Sequence, residues 1–134
     1  MTEENKKENI KTELERASQA FDAATLLFNN NFLNDAISKL YYFLLYNIRA
    51  LLLAKGLEPK SHEGALRLFG LHFVKENLFK PSDSHIFSRL MKYREEADYN
   101  PSYIFNREDF IAFRKEAEEL SDKIKAYLKE KKFI

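Results

Sequence analysis

Ile10, Leu14, Ala17, Phe21, Ala24 and Phe28 recur at intervals of three and four, which puts them on one stripe of a long amphipathic helix. Asn29-Asn30-Asn31 closes that helix, because Asn favours turns and caps over helix interiors. A second helix follows from about Phe32 to Lys55, with Gly56 just past its end as a C′ residue. Its middle, LYYFLLYNIRALLLA, is apolar on most sides and belongs at the centre of a bundle or in a subunit interface. Leu57 to Lys60 is a short connector, and Ser61 is a good N-cap for a third helix reaching about Asn77. Pro81-Ser82-Asp83 reads as a turn that offers caps for a fourth helix with the core stripe Ile86, Leu90, Tyr93 and Ala97. Pro101 requires that helix to end at or before Asn100, since a residue preceding proline avoids the α region. Asn106 with Asp109 three residues later resembles a capping box, opening a fifth helix with Phe110, Phe113, Ala117, Leu120, Ile124 and Leu128 inward. No alternating Val/Ile/Thr run signals a strand. Five helices on short loops predict an all-α fold, an antiparallel up-and-down five-helix bundle, as one domain over residues 1–134.

Composition adds limits. Hydrophobic residues make up 45% of the 134 positions, twelve of them Phe and seven Tyr, enough for a packed core. Twenty-two basic against 21 acidic residues leave a net charge of +1, so no global field draws the chain to nucleic acid or membrane. The chain has no cysteine, which excludes disulfides and thiolate chemistry and suits a cytoplasmic location. The first ten residues hold no apolar signal-peptide core. The richest apolar run, Leu40 to Ala54, is interrupted by Asn47 and Arg49 and by itself is too short to span a bilayer.

Candidate chemistry is concentrated on two helices. Asp35, Lys39, Tyr42, Tyr46 and Arg49 are spaced four, three, four and three, so they share one face of the second helix. Two tyrosines between charges offer flat apolar bodies with hydroxyl tips, which suits a half-buried boundary face and equally a binding cleft. Arg94 and Asp98 are helical neighbours. Asp98 stands near a helix C-terminus, where the backbone dipole disfavours an anion, so a tertiary contact such as a backbone N–H in the loop between Asn100 and Asn106, or a partner's cation, is expected to hold it. His62, His72 and His85 are scattered with no paired-ligand spacing, and no metal or cofactor motif occurs. His85, Arg89 and Lys92 form a cationic stripe that reads first as a solvated face.

An ordered set of motifs resembles the HEPN domain family. It runs Asp35-Ala36-Ile37-Ser38-Lys39-Leu40-Tyr41-Tyr42, Arg49-Ala50-Leu51-Leu52, Gly56-Leu57-Glu58-Pro59-Lys60-Ser61-His62, Phe73-Val74-Lys75 and Arg94-Glu95-Glu96-Ala97-Asp98-Tyr99. The resemblance extends from about Glu13 to Lys129, with the stand-alone prokaryotic subgroup most similar. It implies a helical bundle that forms a homodimer, paired in toxin–antitoxin fashion with a minimal nucleotidyltransferase. It also implies, for many members, metal-independent RNase activity from Arg, four to six residues, then His. In those members the His takes part in proton transfer, and Arg lies near the scissile phosphate as the 2′-hydroxyl attacks.

This chain departs from that pattern. Arg94 is followed by Asp98 and Tyr99, and no His occurs after His85. An Asp ionised at neutral pH is a poor substitute for imidazole and repels phosphate. Arg67 and His72 have the motif's spacing, but five residues on a helix turn the side chains about 140° apart, and the pair lies outside the family position. The expected function is therefore a non-catalytic module that binds a nucleotide, RNA or a nucleotidyltransferase partner. Arg94 and Arg49 would contact the anion, Tyr42 and Tyr46 would wall the cleft, and Asp98 would orient Arg94. One alternative is an RNase toxin in which His62 approaches Arg94 in space. Another is a structural partner that dimerises through the tyrosine stripe.

Overall fold

The computed structural model describes residues 2–100 and 102–134; the expectation that rests on Pro101 itself lies outside them. Helix α1 spans Glu3–Asn29, α2 Leu33–Ala54, α3 His62–Phe69, α4 Pro81–Tyr99 and α5 Arg107–Glu130. A π-helical turn, Gly70–Val74, extends α3. The described residues form an all-helical bundle with no strand.

The turn between α1 and α2 is tight because Asn31 takes the left-handed conformation at φ 65°, which lets the Phe32 N–H reach the Leu27 carbonyl. The two helices therefore run antiparallel. Gly56 does the same for the end of α2 at φ 72°, where a side chain would be strained. The α1 stripe is buried as the periodicity requires: Ile10, Ala17, Ala24 and Phe28 face the core, with Leu14 and Phe21 at its edge. Helix α2 is the central element, burying Ile37, Leu40, Leu44, Ile48, Leu51 and others against its neighbours. Each large apolar side chain so buried contributes about 1.5–3 kcal/mol. By length and composition alone, the whole 22-residue α2 is long and apolar enough to cross a membrane, as the buried core helix of a bundle also is. Its apolar surface is consumed by the bundle.

The third helix departs from expectation. It does not run regularly to Asn77. After Phe69 it widens, the Lys75 N–H reaching back five residues to the Gly70 carbonyl. Lys55 at the end of α2 clamps this turn through the His72 carbonyl, at 2.6 Å, and the Glu76 carboxylate, at 2.7 Å. The widened turn brings Phe73 inward beside Phe69 and Phe79.

Helix α4 begins with Pro81 as its first residue, not after a turn at 81–83. Lys80 is the cap residue, and the Asp83 carboxylate accepts its backbone N–H while pairing with Lys123 on α5. A proline suits the first helical position because its missing N–H has no partner there anyway. The α4 core face centres on Phe87, Leu90 and Met91, with Ile86, Tyr93 and Ala97 half-buried beside it. Arg94 is thereby turned toward α2. Asn106 and Asp109 form the capping box that opens α5.

Candidate functional site

The channel is the strip of α2 between α1 on one side and α3 and α4 on the other, exposed at Asp35 and Lys39 and half-buried at Tyr42, Tyr46 and Arg49. From Asp35 to Arg49 it is about 21 Å long at the α-helical rise. One wall is α1. Arg16 lies over the Tyr46 ring at 4.2 Å and donates to the Tyr46 hydroxyl at 3.2 Å. Glu13 bonds Arg16 at 3.1 Å and faces Arg49 Nε at 3.9 Å. The other wall is the start of α3 and the last turns of α4, which carry His62 and Arg94.

Tyr41 and Tyr42 join these parts. The Tyr41 ring is fully buried, stacked on Phe87 with centroids 5.7 Å apart. His62 packs on both tyrosines, its ring 5.5 Å from Tyr41 and 6.0 Å from Tyr42. The Arg94 guanidinium lies over the same two rings, at 5.4 and 6.0 Å, and over Tyr99 at 5.9 Å. Arg94 and His62, well separated in sequence, thus share two aromatic neighbours.

Electrostatics reflect the convergence. Burial pushes the His62 imidazole below its ordinary pKa, and Arg94 and Arg49 push it further, with Glu95 opposing them. Burial works against the charge on Arg94. The Tyr42 and Tyr99 hydroxyls and the Asp98 carboxylate outweigh it and hold the guanidinium above its ordinary pKa. Burial pushes the Tyr41 phenol well above the ordinary tyrosine range, Arg94 notwithstanding, so that hydroxyl stays protonated.

Hydrogen bonding at the site is incomplete. Among the described residues, the buried side-chain polar atoms without a hydrogen bond are Glu13 Oε2, Tyr41 OH and Arg94 Nε. All three belong to residues around this channel. Leaving such a group unmet costs about 1–3 kcal/mol, so natural folds rarely do so without a reason.

Of the residues named from sequence, Arg94, Asp98, His62 and Tyr42 are linked by direct contacts, Tyr46 packs beside Tyr42, and Arg49 meets Glu13 on the α1 side. Asp98 is held by the Ser38 hydroxyl of α2 and by Arg94, both at 3.4 Å, in place of the expected loop N–H. Arg67 is exposed on α3, and the His72 backbone is tied to Lys55, so that pair does not join the site. Arg89 of the cationic stripe is committed to Glu116 on α5. Tyr41 and Tyr99 stand in the motifs quoted from sequence without a site role, and Glu13 and Arg16 were given none either. The doublet Tyr41-Tyr42 and the i,i+3 pair Glu13/Arg16 were the available signals, but both read equally as core and surface features.

Known proteins give the arrangement a context. The chain is 36% identical over 124 residues to "Putative toxin MJ0605" of Methanocaldococcus jannaschii, covering 92% of each chain. It is 33% identical over 117 residues to a UPF0332 protein of Thermotoga maritima, covering 87% of this chain and 89% of that one. A second M. jannaschii protein, "Putative toxin MJ0142", is 29% identical over 128 residues. The HEPN domain model matches residues 10–129, which takes in both walls and the floor of the channel, and the chain accordingly belongs to the HEPN domain family.

Proposed function

We propose that the chain is a cytoplasmic, toxin–antitoxin-type HEPN module that grips a phosphate-bearing ligand, a nucleotide or an RNA segment, in the α2 channel. The observation that carries this reading is Arg94. Its guanidinium is largely buried among three tyrosine rings, is held by the Tyr99 hydroxyl and by a long contact to Asp98, and keeps Nε unpaired, with His62 on the same two tyrosines. A planar guanidinium with unspent donors is suited to a phosphate, and half-buried Tyr42 and Tyr46 offer faces for bases. Tyr99, Tyr103 and Ile104 are exposed near the open end. Apolar surface of that kind suits a second protein chain, whether a nucleotidyltransferase or another copy. Calorimetry with short RNA and nucleotides tests the reading. Binding that weakens sharply in Arg94→Ala supports it, and binding that ignores the substitution sinks it.

One observation favours a second reading, RNA cleavage. No histidine follows Arg94 in sequence, yet His62 packs on the same Tyr41 ring as Arg94. An imidazole kept neutral at pH 7 can accept a proton from a 2′-hydroxyl while Arg94 neutralises charge building on the phosphate. Incubation with single-stranded RNA separates the two. Cleavage lost in His62→Ala and in Arg94→Ala but kept in His72→Ala establishes the enzyme; intact RNA that stays bound leaves the binding module.

A further inference from the structure

Lys55 works at both ends of one stretch of chain. Its backbone N–H closes α2 on the Leu52 carbonyl, and the chain then leaves through Gly56 and the connector toward α3. Its side chain meets the far end of the same excursion. The ammonium donates to the His72 carbonyl at 2.6 Å and to the Glu76 carboxylate at 2.7 Å, and lies 4.5 Å from the centre of the Phe73 ring. One residue thus closes residues 55–76 into a loop with α3 inside it.

Little else fixes α3 along its own axis. It has eight residues, too few for a helix to be stable by itself. The Ser61 hydroxyl accepts from Gly64 within the first turn, so that cap moves with the helix. Ala65, Phe69 and Phe73 are buried, but apolar packing is non-directional. Among the described residues, the bonds from Lys55 are the hydrogen bonds that join residues 62–76 to another helix. The π turn makes register a real choice. Its Lys75 N–H reaches back five residues instead of four. Relaxing it to α geometry would turn the helix upstream by about 100° and slide it about 1.5 Å. His62, the first residue of α3, would then leave the Tyr41 and Tyr42 rings on which it packs. The Lys55 bonds grip a carbonyl inside the turn and a side chain just past it, and bonds with directional geometry discriminate between the two forms.

We propose that Lys55 is a positioning residue for His62: by clamping the π turn it sets the register of α3 and so seats the imidazole on Tyr41 and Tyr42, the rings over which Arg94 lies. The inference deepens the reading of the Arg94 site and rests on it only for its consequence. A chain without the clamp keeps Arg94 and loses the imidazole's place beside it.

Proton NMR titration of the histidine rings in the full chain, assigned with His72→Gln and His85→Gln, tests this without any ligand. Lys55→Met keeps the aliphatic stem over Phe73 and removes the donors. Glu76→Ala removes one acceptor at an exposed position. Burial, then Arg94 and Arg49, hold the His62 pKa below 6.5, with Glu95 opposing. Both variants should raise it toward that ordinary value and shift its ring-proton resonances, which sense the tyrosine ring currents. The change should be larger in Lys55→Met, and His85 should not move. One variant loses a cation and the other an anion, so their direct charge effects on His62 are opposite in sign, and a common upward direction isolates the geometric effect. Opposite directions overturn the inference. So does a His62 signal unmoved in both variants while His72 responds, which leaves Lys55 a structural clamp alone. If Lys55→Met does not fold, Glu76→Ala decides: a raised His62 pKa supports the inference, and an unchanged or lowered one overturns it. Either failure leaves the phosphate reading standing, because calorimetry with Arg94→Ala tests that separately.

Discussion

Two arginines, one near the end of α4 and one at the start of α5, use their donors in opposite ways. Arg107, at the start of α5, lies over the Phe28 ring at 4.0 Å and donates to the Phe28 carbonyl at 3.2 Å and the Asn31 side chain at 2.7 Å. It ties α5 to the turn between α1 and α2. Arg94 also lies on aromatic rings, yet its bond to the Asp98 carboxylate is long, 3.4 Å, and its Nε is unmet. The two faces of α2 repeat the contrast. Asn47 is fully buried and satisfied, donating to the Phe43 carbonyl and accepting from Ser121 of α5. Tyr41, equally buried on the α4 side, has a hydroxyl with no partner. The α5 side of the molecule is completed by its own chain, and the α4 side leaves hydrogen-bonding capacity for something else.

The largest expected effect comes from exchanging the fates of the arginines. Arg94→Ala should weaken ligand binding about a hundredfold, the loss typical of one partner of a desolvated charge pair. Its thermal stability should change little. Arg107→Ala should do the reverse, costing about 1–2 kcal/mol of folding stability with binding retained. Calorimetry and denaturant titration on the same two proteins check this. If Arg94→Ala unfolds the protein while Arg107→Ala does not, the contrast is wrong.

Next in size is the comparison within α2. Asn47→Ala should destabilise by about 2–3 kcal/mol, because it opens a cavity and strands the Ser121 hydroxyl. Tyr41→Phe should be neutral or slightly stabilising, within about 1 kcal/mol, since the atom removed is buried without a hydrogen bond. Denaturant midpoints for the two variants measure the difference. A large loss in Tyr41→Phe would mean that the hydroxyl has a partner after all.

A smaller effect concerns α1. Glu13 competes with any ligand for Arg49 and Arg16. Glu13→Gln should tighten phosphate binding a few-fold and leave stability within about 0.5 kcal/mol, the scale of a helical i,i+3 pair. Phosphate titration resolves it; weaker binding would show that Glu13 positions the cations more than it competes with them.

The helices were legible because their apolar stripes repeat with a helical period that tertiary contacts reinforce, as at Phe110, Ala117, Leu120, Ile124 and Leu128 on α5. The irregular end of α3 was not, because the π turn depends on Lys55 reaching across from α2, a contact with no local signature. Pro81 misled for a related reason: a proline marks a turn and a helix start with the same letter, and the Asp83–Lys80 backbone bond is what decides. At the site, each of Arg49, Tyr42, Tyr46, Asp98, Arg94 and His62 could be named as chemistry. The meeting of Arg94, Asp98, His62 and Tyr42 could not, because it depends on how α3 crosses α2 near α4. Tyr41 looked like core, and it is core, yet its ring is the surface on which His62 and Arg94 meet.

The most delicate prediction sets folding against binding at His62. The imidazole is surrounded by Arg49, Tyr41 and Tyr42 on α2 and by Arg94 and Glu95 on α4. Burial and the two guanidinium groups depress its pKa below the ordinary 6.5 or so, so the folded chain binds this proton less readily than the unfolded chain. The stabilisation that a neutral His62 brings is complete above about pH 6.5 and is lost as pH falls toward and through the lowered folded value. Wild type should therefore lose more thermal stability than His62→Asn between pH 7.5 and pH 5. A bound RNA phosphodiester, which keeps its charge over this interval, should oppose the field of the guanidinium groups and raise the pKa, so that the complex takes up a proton and binding tightens. Acidification thus weakens the empty bundle and strengthens the complex, and both trends should vanish together in His62→Asn. Melting curves with and without ligand at the two pH values are sufficient. Binding that weakens on acidification in the wild type alone would show that the imidazole does not face the phosphate.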